Sequence, residues 1–104
     1  MIDMFKNIFG FAPSTDFALL VKEGAQIIDV RSVAEYKSGH IKGSVNIPLD
    51  RLHQQLYQIN KEKTIITCCA SGMRSASAKS MLLNNGFASV HNGGGWMGLQ
   101  EKIS

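Results

Sequence analysis

Thr64-Ile65-Ile66-Thr67-Cys68-Cys69-Ala70-Ser71-Gly72-Met73-Arg74-Ser75 runs from a β-branched apolar stretch through a short flexible loop into small residues that begin a helix. The first five positions read as a buried strand. From Ser75 to Leu83 small residues give way to an apolar face, and Asn84-Asn85-Gly86 is a helix stop. A strand that feeds a helix in this way is the building unit of a parallel sheet, and such sheets bind ligands beyond the carboxyl ends of their strands. Cys69 stands at that join.

The same alternation extends outward in both directions. Upstream, Ser14-Thr15-Asp16 caps a short helix from Phe17 to Lys22, which stops at Glu23-Gly24. Ala25 to Val30 is a β-branched run that predicts a second buried strand, and Ser32-Val33-Ala34-Glu35 has the spacing of a capping box. Val45-Asn46-Ile47 before Pro48 predicts a very short strand. Leucines at 49, 52 and 56 then predict a helix from about Leu49 to Gln58 with one face on a core. Downstream, Ala88 to His91 predicts a last strand, Gly93-Gly94-Gly95 breaks the chain, and Trp96 to Leu99 begins a C-terminal helix. The expected architecture is α/β: a mostly parallel central sheet with helices on both faces, formed by one domain over residues 1–104.

Composition narrows the chemistry. The chain has 104 residues, of which 44% are hydrophobic and 18% charged, values of a globular protein of one-domain size. The net charge of +3 is scattered, with no basic run and a single Trp, so no nucleic-acid partner is expected. No segment approaches the roughly 18 to 20 apolar residues of a membrane span, and none is expected to enter a membrane. Met1 to Phe11 has Asp3 where a signal peptide carries cations, which makes cytoplasmic location the default expectation. Adjacent Cys68 and Cys69 would close a strained ring and staple no loop. Neither belongs to a set with zinc-ligand spacing, so the expectation is two free thiols, no metal and no cofactor.

The loop itself predicts anion chemistry. Ala70, Ser71, Gly72 and Met73 are small or flexible enough for successive N–H groups to converge on one point, and the following helix adds its positive end. A Cys69 sulfur at that focus is favoured as thiolate, the nucleophilic form. Arg74 either meets an incoming anion or pairs with a carboxylate that fixes the loop's shape. Met73 either narrows the pocket mouth or packs beneath the loop. Cys68, pointing to the other face of the strand, is expected to be a core thiol. Asp29, Arg31 and Glu35 are expected to form an ion-pair and capping network that holds the loop.

Cys69-Ala70-Ser71-Gly72-Met73-Arg74-Ser75 resembles the active-site loop of the rhodanese domain. Ile28-Asp29-Val30-Arg31, Glu35-Tyr36 and Gly39-His40-Ile41-Lys42-Gly43-Ser44-Val45-Asn46-Ile47-Pro48 are similar, in order and separation, to the family's upstream signature. Gly93-Gly94-Gly95-Trp96 resembles the stretch before its final helix, so the resemblance extends from about Phe17 to Leu99 and leaves out the first dozen residues. It implies the rhodanese fold and a persulfide on Cys69, with Ala70, Ser71, Gly72, Met73, Arg74 and Ser75 forming the substrate-binding loop. It also implies transfer of sulfane sulfur from a small donor, thiosulfate or a persulfide, to cyanide, a thiol or a protein acceptor. Ala70 departs from thiosulfate-using members that place a cation beside the cysteine, which leaves the donor open.

Other readings compete with this one. Cys68 and Arg74 are separated by five residues, the spacing of a cysteine phosphatase or arsenate reductase loop. Counting from Cys69 leaves four, a tighter nest suited to a persulfide. A non-catalytic binding module on the same fold has no need of a nucleophile. Cys69 as a plain buried thiol is the remaining alternative. His40 is expected to be a surface or hydrogen-bonding residue and Trp96 a core or pocket-wall aromatic, while His53 and His91 carry no motif.

Overall fold

A computed structural model describes residues 14–104; the opening Met1 to Phe11, on which the expectation about location rests, lies outside the described residues. Helix α1 (Phe17–Lys22) begins at Asp16, whose carboxylate accepts the Leu19 amide at 3.0 Å. Strand β1 (Gln26–Asp29) follows, then α2 (Val33–Lys37), β2 (Val45–Asn46) and α3 (Leu49–Leu52), which tightens into 3-10 turns over His53–Gln58. Strand β3 (Ile65–Cys69), α4 (Met73–Asn84), β4 (Val90–Gly95) and α5 (Trp96–Ile103) complete the chain. The four strands form one sheet in the order β2-β1-β3-β4, every neighbouring pair parallel.

Adjacent residues of the strands are divided between two apolar layers because side chains alternate across a sheet. Ile28, Ile65 and Cys69 pack on one face with Leu52, Ala78 and Leu82 of α3 and α4. Ile27, Ile66 and Cys68 pack on the other with Phe17 of α1 and Leu99 of α5. Helices thus cover both faces, and β3 is buried at every position, as a central parallel strand requires.

Two elements differ from expectation. The segment after Pro48 is not one helix: Gln55 has φ −117° and ψ 19°, and the turns beyond Leu52 are 3-10. Leu52 is nonetheless buried, with Leu49 and Leu56 packed against the same cluster. Apolar spacing fixed which residues face the core, not the hydrogen-bond pattern that carries them there. The glycine triplet does not break the chain either; it lies inside β4, with Gly95 paired to Cys69. A Cβ at Gly93 would stand 2.8 Å from the Thr67 carbonyl oxygen and one at Gly95 2.9 Å from that of Ala70. Gly93 and Gly95 are there because β4 passes so close to β3 and its loop, while Gly94 stands in open space at φ +78°, a backbone that favours glycine.

Candidate functional site

The carboxyl end of β3 delivers Cys69 directly beneath the loop. The Gly72 N–H donates to Cys69 Sγ at 2.9 Å and the Ser75 N–H at 3.4 Å. Helix α4 has no side-chain cap from its N-cap residue Gly72, so the sulfur takes the place of a capping oxygen for amides of the first turn. Gly72 reaches this position at φ +106°, a left-handed backbone that disfavours any side chain. Cys69 is only 1% exposed, so its sulfur lies buried beneath the loop. Of the loop residues, Ala70 and Ser71 are exposed and Met73 is 81% exposed. Met73 therefore stands at the rim of the loop and does not pack beneath it.

Cys68 has a different environment. It is fully buried in the layer formed with Phe17 and Leu99, and burial, reinforced by the Asp29 carboxylate, pushes its thiol up to about 12. No loop amide bonds to it among the described residues. The phosphatase spacing counted from Cys68 thus starts from a thiol on the wrong face and in the wrong protonation state.

Arg74 takes the second of its two expected roles. Its Nη1 and Nη2 donate to Glu35 Oε1 and Oε2 at 2.7 and 3.0 Å, a two-point contact between α4 and α2. Glu35 also closes the capping box with Ser32: the Ser32 N–H donates to Glu35 Oε1 at 3.0 Å and the Glu35 N–H to Ser32 Oγ at 3.2 Å. The Arg74 guanidinium first, and the Ser32 amide second, hold the Glu35 carboxyl down at about 2. Beneath this pair lies a second one. Asp29 is fully buried and accepts from Arg31 Nη2 at 2.8 Å, while Arg31 also donates to the carbonyls of Glu35 and Gly39 at 3.2 and 2.7 Å. The Trp96 ring lies 4.7 Å from the Arg31 guanidinium carbon and closes it from the other side. Asp29, Arg31 and Glu35 thus form the holding network expected of them, and Trp96 is part of its wall.

Ser75 contributes to the loop through its backbone. Its hydroxyl is fully buried, 2.7 Å from Thr67 Oγ1, and donates to Asn92 Oδ1 at 2.5 Å. Thr67 and Asn92 were not singled out from sequence. A threonine inside a fully buried strand is the available signal, since its hydroxyl must find a partner. His40 is exposed, stacked on Tyr36 with ring centroids 3.7 Å apart, and belongs to the turn. A cleft of about 670 Å³ adjoins the loop, with Val30, Val33, Pro48, Leu49 and Arg51 among its walls and Arg74 at the boundary between the two. No described helix is long and apolar enough to cross a membrane.

A four-stranded all-parallel sheet with a thiol held in an amide loop at its carboxyl edge defines an α/β protein of thiol-site type. Residues 15–102 match the Rhodanese-like domain family, and the chain belongs to it. It is 40% identical over 68 residues to the uncharacterized protein YqhL of Bacillus subtilis, covering 65% of this chain and 54% of that one. The chain spans about half or less of the length of the first curated relatives it matches. Reduced CoADR-RHD of Bacillus anthracis superposes with a TM-score of 0.73 at 36% identity, over 94% of this chain and 18% of that one. The human single-domain sulfurtransferase TSTD1 superposes with a TM-score of 0.68 at 28% identity, over 84% of this chain and 90% of its own.

Proposed function

We propose that this chain is a sulfurtransferase that carries sulfane sulfur as a persulfide on Cys69, working as a single domain. The observation that carries the reading is the convergence of the Gly72 and Ser75 amides on Cys69 Sγ. Membership of the rhodanese-like family and likeness to a human sulfurtransferase support it. In the first step the Cys69 thiolate attacks the outer sulfur of a donor such as thiosulfate. The S–S bond of the donor breaks, sulfite leaves with the electron pair, and a Cys69 persulfide anion forms. In the second, cyanide or a thiolate attacks the terminal sulfur, leaves as thiocyanate or as a persulfide, and returns the Cys69 thiolate.

The protein's own groups serve both halves. The amides and the α4 terminus favour negative charge at the sulfur without needing to reorganise, and that charge is borne by both the attacking sulfur and the persulfide. A persulfide extends outward by one atom from a buried sulfur, which brings the transferable atom toward the loop mouth and its exposed Ala70, Ser71 and Met73. Arg74, held by Glu35, keeps the loop's far end in place and offers its remaining donors to an anion. Thiocyanate formation from thiosulfate and cyanide tests the reaction. Activity in the unmodified chain and its loss in Cys69→Ser is the expected result; full activity in Cys69→Ser would refute the assignment.

A further inference from the structure

We propose that Asn92 is a positioning residue for the sulfur site, holding from β4 both of the residues whose amides face Cys69. The inference rests on the reading of Cys69 as the sulfur carrier. Asn92 Oδ1 accepts from Ser75 Oγ at 2.5 Å and from the Gly94 N–H at 2.8 Å, and Asn92 Nδ2 donates to the Gly72 carbonyl at 3.5 Å. Gly72 and Ser75 are the two residues whose N–H groups bond to Cys69 Sγ. One side chain therefore holds both residues that face the sulfur without touching the sulfur itself.

The hydrogen-bond inventory gives the network a direction. Asn92 Oδ1 is a carbonyl oxygen and only accepts, so the single Ser75 hydroxyl proton points to it. Thr67 Oγ1, 2.7 Å from Ser75 Oγ and 3.0 Å from the Ser75 carbonyl oxygen, is then the donor toward Ser75. The chain runs Thr67 to Ser75 to Asn92, anchored at one end in buried β3 and at the other on β4, where Thr67 and Asn92 are register partners. Asn92 is itself exposed, so core packing does not account for it. Each of its side-chain hydrogen bonds goes to the loop, to α4 or to the glycine run behind the loop.

The donor and acceptor halves of Asn92 are separable by substitution. Asn92→Asp keeps an oxygen for Ser75 and Gly94 but loses the donor to Gly72 and places a carboxylate near its carbonyl; Asn92→Ala removes everything. The experiment measures single-turnover sulfur loading from thiosulfate, the amide proton resonances of Gly72 and Ser75 in the reduced chain, and the melting temperature. Asn92→Ala is expected to slow loading roughly tenfold, the scale of one or two lost hydrogen bonds, with both resonances displaced and the chain still folded at the assay temperature, as its melting temperature checks. Asn92→Asp is expected to slow loading with the Gly72 resonance displaced and that of Ser75 largely kept. Wild-type loading rates in both variants, or slow loading with unmoved resonances, would overturn the proposal. If the unmodified chain takes up no sulfur, the Cys69 reading fails separately. The resonances alone then decide for or against Asn92: displacement upholds its positioning role and its absence removes it.

Discussion

Two cysteines joined by one peptide bond meet opposite fates because a strand turns successive side chains to opposite faces. Cys69 Sγ accepts loop amides, while Cys68 is sealed among Phe17, Ile66 and Leu99 with its thiol pushed up to about 12. Cys69→Ser should abolish sulfur transfer and Cys68→Ser should leave most of it, measured as thiocyanate released; equal losses would contradict the division. The Arg74–Glu35 contact makes a different prediction. Glu35 is held at about 2, below its unfolded value near 4.3, so its contribution to stability is present above that value and is lost as pH falls toward 2. The melting temperature of wild type should therefore lead that of Glu35→Gln above about pH 5, and the gap should close between about pH 4 and pH 2. A gap independent of pH would show that the carboxylate charge is not what matters. Both residues were legible in sequence, Arg74 with two roles open. Geometry decided between them, because a guanidinium reaches across space to a residue 39 positions away and no local pattern records that.

At the scale of elements, the informative case is β4. Its sequence Val90-His91-Asn92-Gly93-Gly94-Gly95 has no alternation of apolar residues, and glycine ordinarily weakens a strand, so the pattern pointed to a break. The strand persists because it pairs with β3 and because only glycine fits so near its backbone. Gly93→Ala would drive a methyl to 2.8 Å from both the Thr67 carbonyl oxygen and Leu99 Cδ2, and should destabilise the chain by about 1–3 kcal/mol in denaturant unfolding. Gly95→Ala meets the Ala70 carbonyl oxygen instead, at 2.9 Å, and should slow sulfur loading out of proportion to its effect on stability. Equal stability of Gly93→Ala and wild type would show that β4 is not clamped against β3. The capped helices α1 and α2, by contrast, were legible to within a residue or two, since a cap is a local hydrogen bond written in adjacent side chains.

For the molecule as a whole, the parallel sheet followed from the order of strands and helices, because strands joined through helices have few ways to pack. What fastens its site end was less legible. Asp29 and Arg31 join β1 to the turn before α2, to Gly39 and to the Trp96 ring at the start of α5, so one buried ion pair ties four parts of the chain. Asp29→Ala would leave the Arg31 guanidinium buried without its counter-charge, at a cost of about 3–5 kcal/mol. Against a typical total of about 5–15 kcal/mol, that should bring the unfolding midpoint down sharply. An unchanged midpoint would show that solvent reaches Arg31 readily. The most direct measurement of the central claim is intact-mass spectrometry after incubation with thiosulfate, followed by peptide mapping without reductant. One sulfur atom added to the chain and located on Cys69 is the expected result; no added sulfur, or sulfur located on Cys68, would contradict the account.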